Sequence, residues 1–329
     1  MQDHGGNIDH AMAAFGGSTD DWIDLSTGIN RQPYPVPPLP MAAWTMLPTA
    51  GATRALHASM RAHYNTDAPS LALAGAQAAI QMIPHLAPPA TGRKLARVLA
   101  PTYNEHALTL QSAGWHVDEV PLLADLAGAD LAVVVNPNNP DGQTHRPADL
   151  LGLCASVGRL VVDESFADIR PDLSMLPHAG VDKLLILRSF GKFWGLAGAR
   201  LGFVFGPHSD ITALAAMAGP WPVSGAALII GRAAFDDLVW AAQTRARLHA
   251  EIPLIDALAT GAGWQVAGGT ALFRLYETAD ANAAQSQLAR AQIWSRVFPW
   301  HPHWLRLGMP GSASEWTRLA TALDQIAKF

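Results

Sequence analysis

Short apolar runs alternate with helical segments through the middle of this chain, and that alternation constrains the fold more than any other feature. Strands are predicted at residues 95–100, 131–135, 160–162 and 183–188, and helices at residues 52–64, 76–86, 105–113 and 147–157. Apolar strands separated by helices are typical of a parallel sheet covered by helices. The pattern predicts an α/β fold, and ligands of such sheets bind at the carboxyl ends of the strands.

The two ends of the chain differ from this middle region. The N-terminal part is rich in glycine and proline and closes with the run PYPVPPLP, which excludes a regular helix or a central strand there. After a strongly helical stretch, new strands are predicted at residues 271–276 and 304–307. We therefore expect an N-terminal arm that lies over another part of the molecule (residues 1–40), a large domain with a mostly parallel sheet between helices (41–225) and a smaller α+β C-terminal domain (226–329).

The composition excludes several classes of protein. Half of the 329 residues are apolar, the net charge is −5, and Cys154 is the single cysteine. The chain is therefore neither disordered nor held by internal disulfides, and we expect it in a reducing compartment such as the cytoplasm. The mild acidity argues against nucleic-acid binding. We expect no signal peptide, because the first residues lack a basic region followed by an apolar stretch. We expect no membrane span, because prolines interrupt the uncharged stretches at residues 68–92 and 211–231.

Lys192 is the residue most strongly marked for chemistry. It is one of four lysines and lies in the sequence SFGKFWGLAGARLGF, residues 189–203. A lysine between a strand and a glycine-rich segment is a candidate Schiff-base nucleophile, and the flanking Ser189 and Arg200 can bind a phosphate of the same ligand. The alternative is a surface lysine in a loop, which its aromatic sequence neighbours disfavour.

Further polar residues follow other predicted strands. Asp163 ends the run LVVD and can pair with a protonated pyridine nitrogen, although aspartate is also a common helix cap. Asn139 lies in the turn NPNNPDG, by itself an ordinary loop, and its amide can donate to a phenolic oxygen. Tyr103 can stack on a planar ligand or simply pack in the core. Gly75 opens the helix AGAQAAI, whose free backbone N–H groups can bind a phosphate.

Together these residues resemble the site of the pyridoxal-phosphate enzymes with the aspartate aminotransferase fold. The resemblance covers most of the chain and implies fold type I of the pyridoxal-phosphate-dependent transferases, usually a homodimer. It implies that Lys192 bonds pyridoxal 5'-phosphate covalently and that Asp163 pairs with its ring nitrogen. The remaining cofactor residues that the resemblance implies are Asn139 at the phenolic oxygen, Tyr103 on the ring, and Gly75, Ala76, Gln77, Ser189 and Arg200 at the phosphate.

The N-terminal segment resembles one subfamily. HGGNI at residues 4–8 and DLSTGIN at 24–30 are similar to the threonine-phosphate decarboxylases of cobalamin biosynthesis, which are relatives of histidinol-phosphate aminotransferase. In that subfamily the arm folds over the active site and helps to hold the substrate phosphate; the alternative here is a disordered start. The resemblance implies these substrate-binding residues: His4, Gly5, Gly6, Asn30, Asn139 and Arg296, with Arg306 at the α-carboxylate.

Two positions depart from the pattern of the aminotransferases. A tyrosine that usually follows the aspartate by three residues is replaced by Phe166, and this replacement favours the decarboxylases. A tyrosine-proline pair that reaches the neighbouring subunit's cofactor in relatives stands here as Leu47 and Pro48, which puts that cross-subunit contact in question.

The first hypothesis is decarboxylation of L-threonine O-3-phosphate to (R)-1-amino-2-propanol O-2-phosphate, a step of cobalamin biosynthesis. The second is a histidinol-phosphate-type aminotransferase, which would use the same cofactor residues. The third, from another class, is a catalytically silent pyridoxal-phosphate-binding module, against which stands the lack of a basic helix-turn-helix segment before residue 50. A nicotinamide-dependent oxidoreductase is disfavoured because no Gly-x-Gly-x-x-Gly motif follows a strand.

Overall fold

The computed structural model describes residues 5–86 and 92–327, and these form two compact units. The large unit comprises Tyr34–Asn139 and Gln143–Ala241, and the terminal unit lies within Met1–Pro33, Pro140–Gly142 and Ala242–Phe329. This grouping differs from the predicted division at residues 40 and 225. The N-terminal segment belongs with the C-terminal part of the chain, and the second division falls inside a long helix.

Thirteen strands are found in the described residues. In chain order they are β1 (Ile23–Asp24), β2 (Ser70–Leu73), β3 (Leu95–Leu99), β4 (His116–Val120), β5 (Leu131–Val135), β6 (Leu160–Asp163), β7 (Leu184–Ser189), β8 (Gly202–Phe205), β9 (Gln265–Gly269), β10 (Phe273–Glu277), β11 (Ile293–Trp294), β12 (Arg296–Phe298) and β13 (His301–Gly308).

Eleven α-helices are found in the same part of the chain. They are α1 (Ile8–Phe15), α2 (Ala42–Thr45), α3 (Ala50–Tyr64), α4 (Ala76–Met82), α5 (Glu105–Ser112), α6 (Pro147–Cys154), α7 (His208–Ala218), α8 (Gly225–Asp236), α9 (Leu238–Gly261), α10 (Ala281–Arg290) and α11 (Ala313–Ile326). None of the described helices is long and apolar enough to cross a membrane.

The large unit is built on a seven-stranded sheet in the order β2-β8-β7-β6-β5-β3-β4. Its strands are parallel except β8, which is antiparallel to both of its neighbours. The predicted mostly parallel sheet is confirmed, and the four predicted strands end within one residue of β3, β5, β6 and β7. All five residues of β5 are buried, as expected for a strand covered on both faces. The prediction omits β2, β4 and β8, which lie outside the clearest apolar runs.

The terminal unit contains a four-stranded antiparallel sheet in the order β12-β13-β10-β9 and a two-stranded parallel sheet of β1 and β11. The latter joins the two ends of the chain, since Ile23 pairs with Ile293 and Asp24 with Trp294. Although no helix is predicted in the first 40 residues, the segment includes α1, which is capped by Asn7 and buries Ala11. The glycines and prolines of this segment lie outside α1, so they do not interrupt it.

Candidate active site

One pocket of the large unit, with a volume of about 180 Å³, lies at the carboxyl ends of the parallel strands. Strands β5, β6 and β7 lead into it, because their last residues or the loops after them contribute lining side chains. All nine predicted cofactor residues line this pocket: Gly75, Ala76, Gln77, Tyr103, Asn139, Asp163, Ser189, Lys192 and Arg200.

Asp163 is held as a buried carboxylate at the end of β6. Its Oδ2 lies 2.9 Å from Nε2 of His106, and its Oδ1 accepts from the backbone N–H (2.9 Å) and the hydroxyl (2.5 Å) of Ser165. Burial acts to raise the pKa of Asp163, but the hydrogen bonds from His106 and Ser165 outweigh burial and lower it. No sequence motif marks His106 or Ser165 as partners of Asp163. The contact of His106 depends on the tertiary fold, since the two residues are 57 positions apart.

Lys192 lies in the loop after β7, with its amine facing an aromatic ring. The Nζ atom is 5.7 Å from the centre of the Phe166 ring, and both residues line the pocket. The residues after Lys192 are anchored in the core: Phe193 and Trp194 are fully buried, and Trp194 stacks on Trp240 at 5.2 Å. This packing holds the residues after Lys192 in the core. The side chain of Lys192 itself lines the pocket.

Glycine at position 75 is favoured by its backbone conformation, because the φ of +85° is one that other residues rarely adopt. A Cβ atom there would also lie 2.7 Å from Nη2 of Arg200, so the guanidinium would have to move. Arg200 itself has a left-handed φ of +50° and donates to the carbonyls of Ala197 (3.1 Å) and Ala74 (3.4 Å). The guanidinium is thereby held at the pocket wall beside the first residues of α4.

A chain of hydrogen bonds links Tyr103 through Gln77, another pocket residue, to Glu105 of helix α5. The Tyr103 hydroxyl donates to Oε1 of Gln77 at 3.3 Å, and the amide of Gln77 donates to Oε2 of Glu105 at 2.9 Å. Burial, with the nearby carboxylates of Glu105 and Asp163, raises the pKa of Tyr103 to about 12. The phenol is therefore protonated at neutral pH, and its ring stands edge-on to His106 at 6.2 Å.

The turn that carries Asn139 is rigid because its other amides are engaged. The side chain of Asn136 makes two hydrogen bonds to the backbone of His145: it donates to the carbonyl and accepts from the N–H. Asn138 donates to the carbonyl of Pro101 at 2.9 Å and accepts from Thr102 at 2.6 Å. The turn that follows β5 is thus tied to the turn that follows β3, and Asn139 is presented to the pocket.

A buried ion cluster lies next in sequence to two pocket residues. Arg188, which precedes Ser189, is 3.1 Å from Oε2 of Glu164 and 3.3 Å from Oδ1 of Asp168. Burial disfavours the charge of Arg188, yet the two carboxylates outweigh burial and raise its pKa. Tyr64 donates to Asp168 at 3.0 Å and places its ring 4.6 Å from the guanidinium. The cluster therefore braces the ends of β6 and β7.

The pocket fits pyridoxal phosphate by the chemistry of its donors. A buried, ionised carboxylate such as Asp163 suits a protonated pyridine nitrogen, and the amine of Lys192 suits an aldehyde. Ser189 and Arg200 offer a hydroxyl and a guanidinium to a phosphate, and Gly75 places no side chain beside that guanidinium. Among the described residues no group of histidine, cysteine and acidic side chains could hold a metal ion.

Two predicted substrate residues, Arg296 and Arg306, face each other in the terminal unit. They are register partners in the antiparallel pair of β12 and β13, so their side chains share one face of the sheet. Burial and the neighbouring Arg296 lower the pKa of Arg306 to about 9, and Asp24 opposes this only in part. A buried guanidinium facing a like charge favours an anion at this place.

The other predicted substrate residues of the terminal unit have different environments. His4 lies outside the described residues. Gly5 and Gly6 pack on Ser26, whose hydroxyl accepts from the backbone N–H of Gly6 at 2.7 Å. Asn30 is buried, and its side-chain oxygen accepts from Nη2 of Arg247 at 2.8 Å. Arg247 is not predicted from the sequence, because it lies in a long helix that carries no motif and its partner Asn30 is 217 residues away.

Comparison with known proteins identifies the family of the chain. The profile of the family "Aminotransferase class I and II" matches residues 46–323. A threonine-phosphate decarboxylase of Sinorhizobium sp is 42% identical, with 98% of each chain covered, and one of Pseudomonas aeruginosa is 40% identical over 98% of this chain and 97% of its own. A histidinol-phosphate aminotransferase from Sinorhizobium meliloti, solved in complex with pyridoxal-5'-phosphate, shares the fold with a TM-score of 0.81 at 18% identity, over 97% of this chain and 94% of that one. The chain therefore belongs to the aminotransferase class I and II family and, within it, to the threonine-phosphate decarboxylases.

Proposed function

We propose that this protein is a pyridoxal-phosphate-dependent carbon–carbon lyase that decarboxylates L-threonine O-3-phosphate. The product is (R)-1-amino-2-propanol O-2-phosphate, used in cobalamin biosynthesis. The observation that carries the proposal is the pocket in which the amine of Lys192 and the ionised, buried carboxylate of Asp163 stand together. The full-length similarity to two threonine-phosphate decarboxylases supports this choice of substrate.

When bound, pyridoxal phosphate supplies a conjugated, protonated ring that accepts the electron pair left at the substrate Cα as CO2 departs. Asp163 keeps the proton on the ring nitrogen, which requires that its carboxyl stay ionised. Lys192 is the residue whose amine would hold the cofactor covalently. The same amine is the group that would hold a proton for delivery to Cα. The Cα–carboxyl bond breaks and a Cα–hydrogen bond replaces it.

The remaining pocket residues orient the cofactor. Among the residues that line the pocket, Ala76, Gln77, Ser189 and Arg200 would hold its phosphate, Asn139 would donate to its phenolic oxygen, and Tyr103 would lie against the ring. Because the phenol of Tyr103 is protonated and bonded to Gln77, the ring of Tyr103 is fixed before cofactor binds.

Substrate recognition belongs to cationic and glycine-containing parts of the terminal unit. Arg306 binds the α-carboxylate, and the lowered pKa of Arg306 is relieved when an anion compensates its charge. The substrate phosphate, a dianion near neutral pH, is bound by charge-assisted donors. The residues that the resemblance assigns to it are His4, Gly5, Gly6, Asn30 and Arg296.

The activity test uses purified protein with pyridoxal phosphate and phosphothreonine. We expect CO2 and aminopropanol phosphate to form in equal amounts, and Lys192→Ala to reduce both to background. Lys183→Ala is the matched control, because Lys183 is exposed in the turn before β7, and it should retain wild-type activity. Absence of CO2 above the Lys192→Ala background would contradict the proposal.

Transamination is the competing outcome, since the cofactor residues suit either reaction. An aminotransferase converts its cofactor to the aminated form when it is given an amino donor alone, whereas a decarboxylase does not accumulate that form. We expect no accumulation with phosphothreonine or histidinol phosphate. Rapid conversion by histidinol phosphate, without CO2 release from phosphothreonine, would favour the aminotransferase.

We further propose a cytoplasmic homodimer. Large apolar side chains of the large unit are more than half exposed at Met41, Trp44, Met46, Leu47 and Trp221, which is costly for a monomer. Leu47 is followed by Pro48, which lines the same surface cavity as Trp221. Sedimentation at micromolar concentration should give the mass of a dimer, and Trp44→Glu should shift it toward the monomer.

A further inference from the structure

Ser26 is a fully buried serine of the terminal unit that touches two sets of proposed substrate residues at once. Its hydroxyl accepts from the backbone N–H of Gly6 at 2.7 Å, and its carbonyl oxygen accepts from Nη2 of Arg306 at 2.6 Å. Residues 6, 26 and 306 are far apart in the sequence, so Ser26 is the point at which the N-terminal arm and the buried arginine share contacts.

The hydroxyl of Ser26 is oriented by Asp24. Both the hydroxyl (2.6 Å) and the backbone N–H (2.9 Å) of Ser26 donate to Oδ1 of Asp24. Because the hydroxyl proton is committed to Asp24, an oxygen lone pair is left for the N–H of Gly6. Asp24 thus orients the Ser26 hydroxyl so that its oxygen accepts from the N–H of Gly6.

The arm fits against Ser26 only as a pair of glycines. A Cβ atom at position 5 would lie 2.5 Å from the carbonyl oxygen of Ser26, which is the oxygen that Arg306 donates to. Gly6 has a φ of +87°, in the region that favours glycine. A side chain at position 5 would therefore displace either the arm or the carbonyl that orients Arg306.

The backbone around Ser26 is held on both sides. The N–H of Leu25 donates to the carbonyl of Trp294 at 2.8 Å, and the carbonyl of Leu25 accepts from the N–H of Gly308 at 2.7 Å. Position 308 also tolerates no side chain, since a Cβ there would lie 2.4 Å from the carbonyl of Thr27. Ser26 cannot shift without disturbing these strands, so its two contacts are fixed relative to each other.

We propose that Ser26 is a positioning residue for substrate binding, its hydroxyl holding the Gly5–Gly6 arm while its carbonyl holds the guanidinium of Arg306. The inference rests on the proposed function, in which the arm binds the substrate phosphate and Arg306 the carboxylate. A single residue then fixes the spacing between two anion-binding elements. Loss of the hydroxyl should weaken substrate binding without affecting the cofactor.

The experiment measures phosphothreonine affinity and turnover in the pyridoxal-phosphate-loaded enzyme. For Ser26→Ala we expect KM and the dissociation constant of phosphothreonine to rise about tenfold, the effect of one buried hydrogen bond. The kcat should change less than twofold, and the absorbance of the bound cofactor should not change. Ser18→Ala is a matched control, because the N–H and hydroxyl of Ser18 donate to Asp21 in the same pattern on the exposed surface.

Two further variants separate geometry from charge and from folding defects. Asp24→Asn keeps an oxygen acceptor for Ser26 and removes a charge near Arg306, so we expect a smaller rise in KM than for Ser26→Ala. Gly5→Ala keeps the Ser26 hydroxyl but crowds its carbonyl, and should also raise KM. Gly261→Ala, with nothing within 4 Å of the new Cβ, is its control.

Each result bears on one of the two claims. Turnover by the wild type with unchanged affinity in Ser26→Ala and Gly5→Ala would overturn the role of Ser26 and leave the proposed function standing. Tight phosphothreonine binding without CO2 release would contradict the decarboxylase, while a tenfold loss of binding in both variants would still support Ser26. Absence of any phosphothreonine binding by the wild type would overturn both.

Discussion

The cofactor pocket of the large unit and the cationic region of the terminal unit are assembled by different means. The pocket collects residues from loops that follow neighbouring parallel strands, whose carboxyl ends meet at one edge by the rules of the fold. The cationic region joins residues from opposite ends of the chain, as in the contact of Arg306 with Ser26, 280 residues away. Sequence motifs therefore describe the first region far better than the second.

The two regions also differ in how their charges are compensated. In the large unit, Asp163 has a hydrogen-bonded histidine, and Arg188 lies between the carboxylates of Glu164 and Asp168. In the terminal unit, Arg296 and Arg306 are placed opposite each other, and the pKa of Arg306 is lowered to about 9. The comparison indicates that the cofactor region is organised before any ligand arrives, whereas the substrate region gains most from binding an anion.

The largest effect on stability is expected from breaking the buried cluster of the large unit. Arg188→Met leaves Glu164 and Asp168 buried without their cation, and should lower the free energy of unfolding by about 3–5 kcal/mol. Denaturant unfolding measures the loss. The control is Arg146→Met, whose surface pair with Asp149 should make no measurable contribution. Equal stability of the two variants would contradict the preorganised character of the cofactor region.

The next effect concerns Asp163 and its pH dependence. The pKa of this carboxyl is lowered, so its ionised form is present from neutral pH down to below the ordinary aspartate range, and is lost as the pH falls through the lowered value. His106→Phe removes the opposing hydrogen bond and lets burial raise the pKa. Affinity for pyridoxal phosphate should then decline at a higher pH than in the wild type, and about tenfold at mildly acid pH.

A matched variant checks that this shift is specific to the pocket. His116→Phe removes a histidine that pairs with Asp118 on the surface, at 3.2 Å. It should leave the pH profile of cofactor binding unchanged. Identical profiles for His106→Phe and the wild type would mean that His106 does not control the ionisation of Asp163.

A smaller effect is expected from the partly exposed ion pair of the terminal unit. Arg31 binds both carboxylate oxygens of Glu315, and Arg31→Gln should cost about 1 kcal/mol of unfolding free energy at pH 7. Burial would raise the pKa of Glu315, but Arg31 and the backbone hydrogen bonds from Gly311 and Ser312 together outweigh burial and lower the pKa. The stabilisation by Arg31 therefore disappears as the pH falls through that lowered value. A stability difference that persists in strong acid would contradict this pairing.

The smallest expected effect is spectroscopic. Tyr103 should ionise near pH 12, above the ordinary value for tyrosine of about 10, because burial and two carboxylates disfavour its phenolate. The difference between the alkaline absorbance titrations of the wild type and Tyr103→Phe isolates this group. Ionisation near pH 10 would show that the phenol is solvated and that its ring is not fixed as described.

The limits of prediction from sequence follow the same comparison. Lys192, Asp163 and Asn139 could be predicted because each lies in a short motif at the end of an apolar strand. His106 could not, since it lies on a helix with no feature that marks its partner. In the terminal unit the pairing of β12 with β13 determines that Arg296 faces Arg306, and a separation of ten residues alone does not specify a register.

Helix α1 shows the same limit in the fold. Gly16 and Gly17 follow it closely, so composition averaged over the first 40 residues indicates no helix, although the eight residues from Ile8 to Phe15 contain neither glycine nor proline. What stabilises α1 is packing against α10 from the other end of the chain, a contact that local sequence does not contain.

The most direct test of the account is a paired measurement on Arg200→Gln and Arg306→Gln. Pyridoxal-phosphate affinity is measured without substrate, and KM for phosphothreonine is measured with saturating cofactor. We predict that Arg200→Gln weakens cofactor binding at least tenfold, and that Arg306→Gln leaves it within twofold of the wild type but raises KM about 100-fold, the loss of one charge-assisted pair. The account is contradicted if Arg306→Gln loses cofactor as readily as Arg200→Gln, or if it binds phosphothreonine like the wild type.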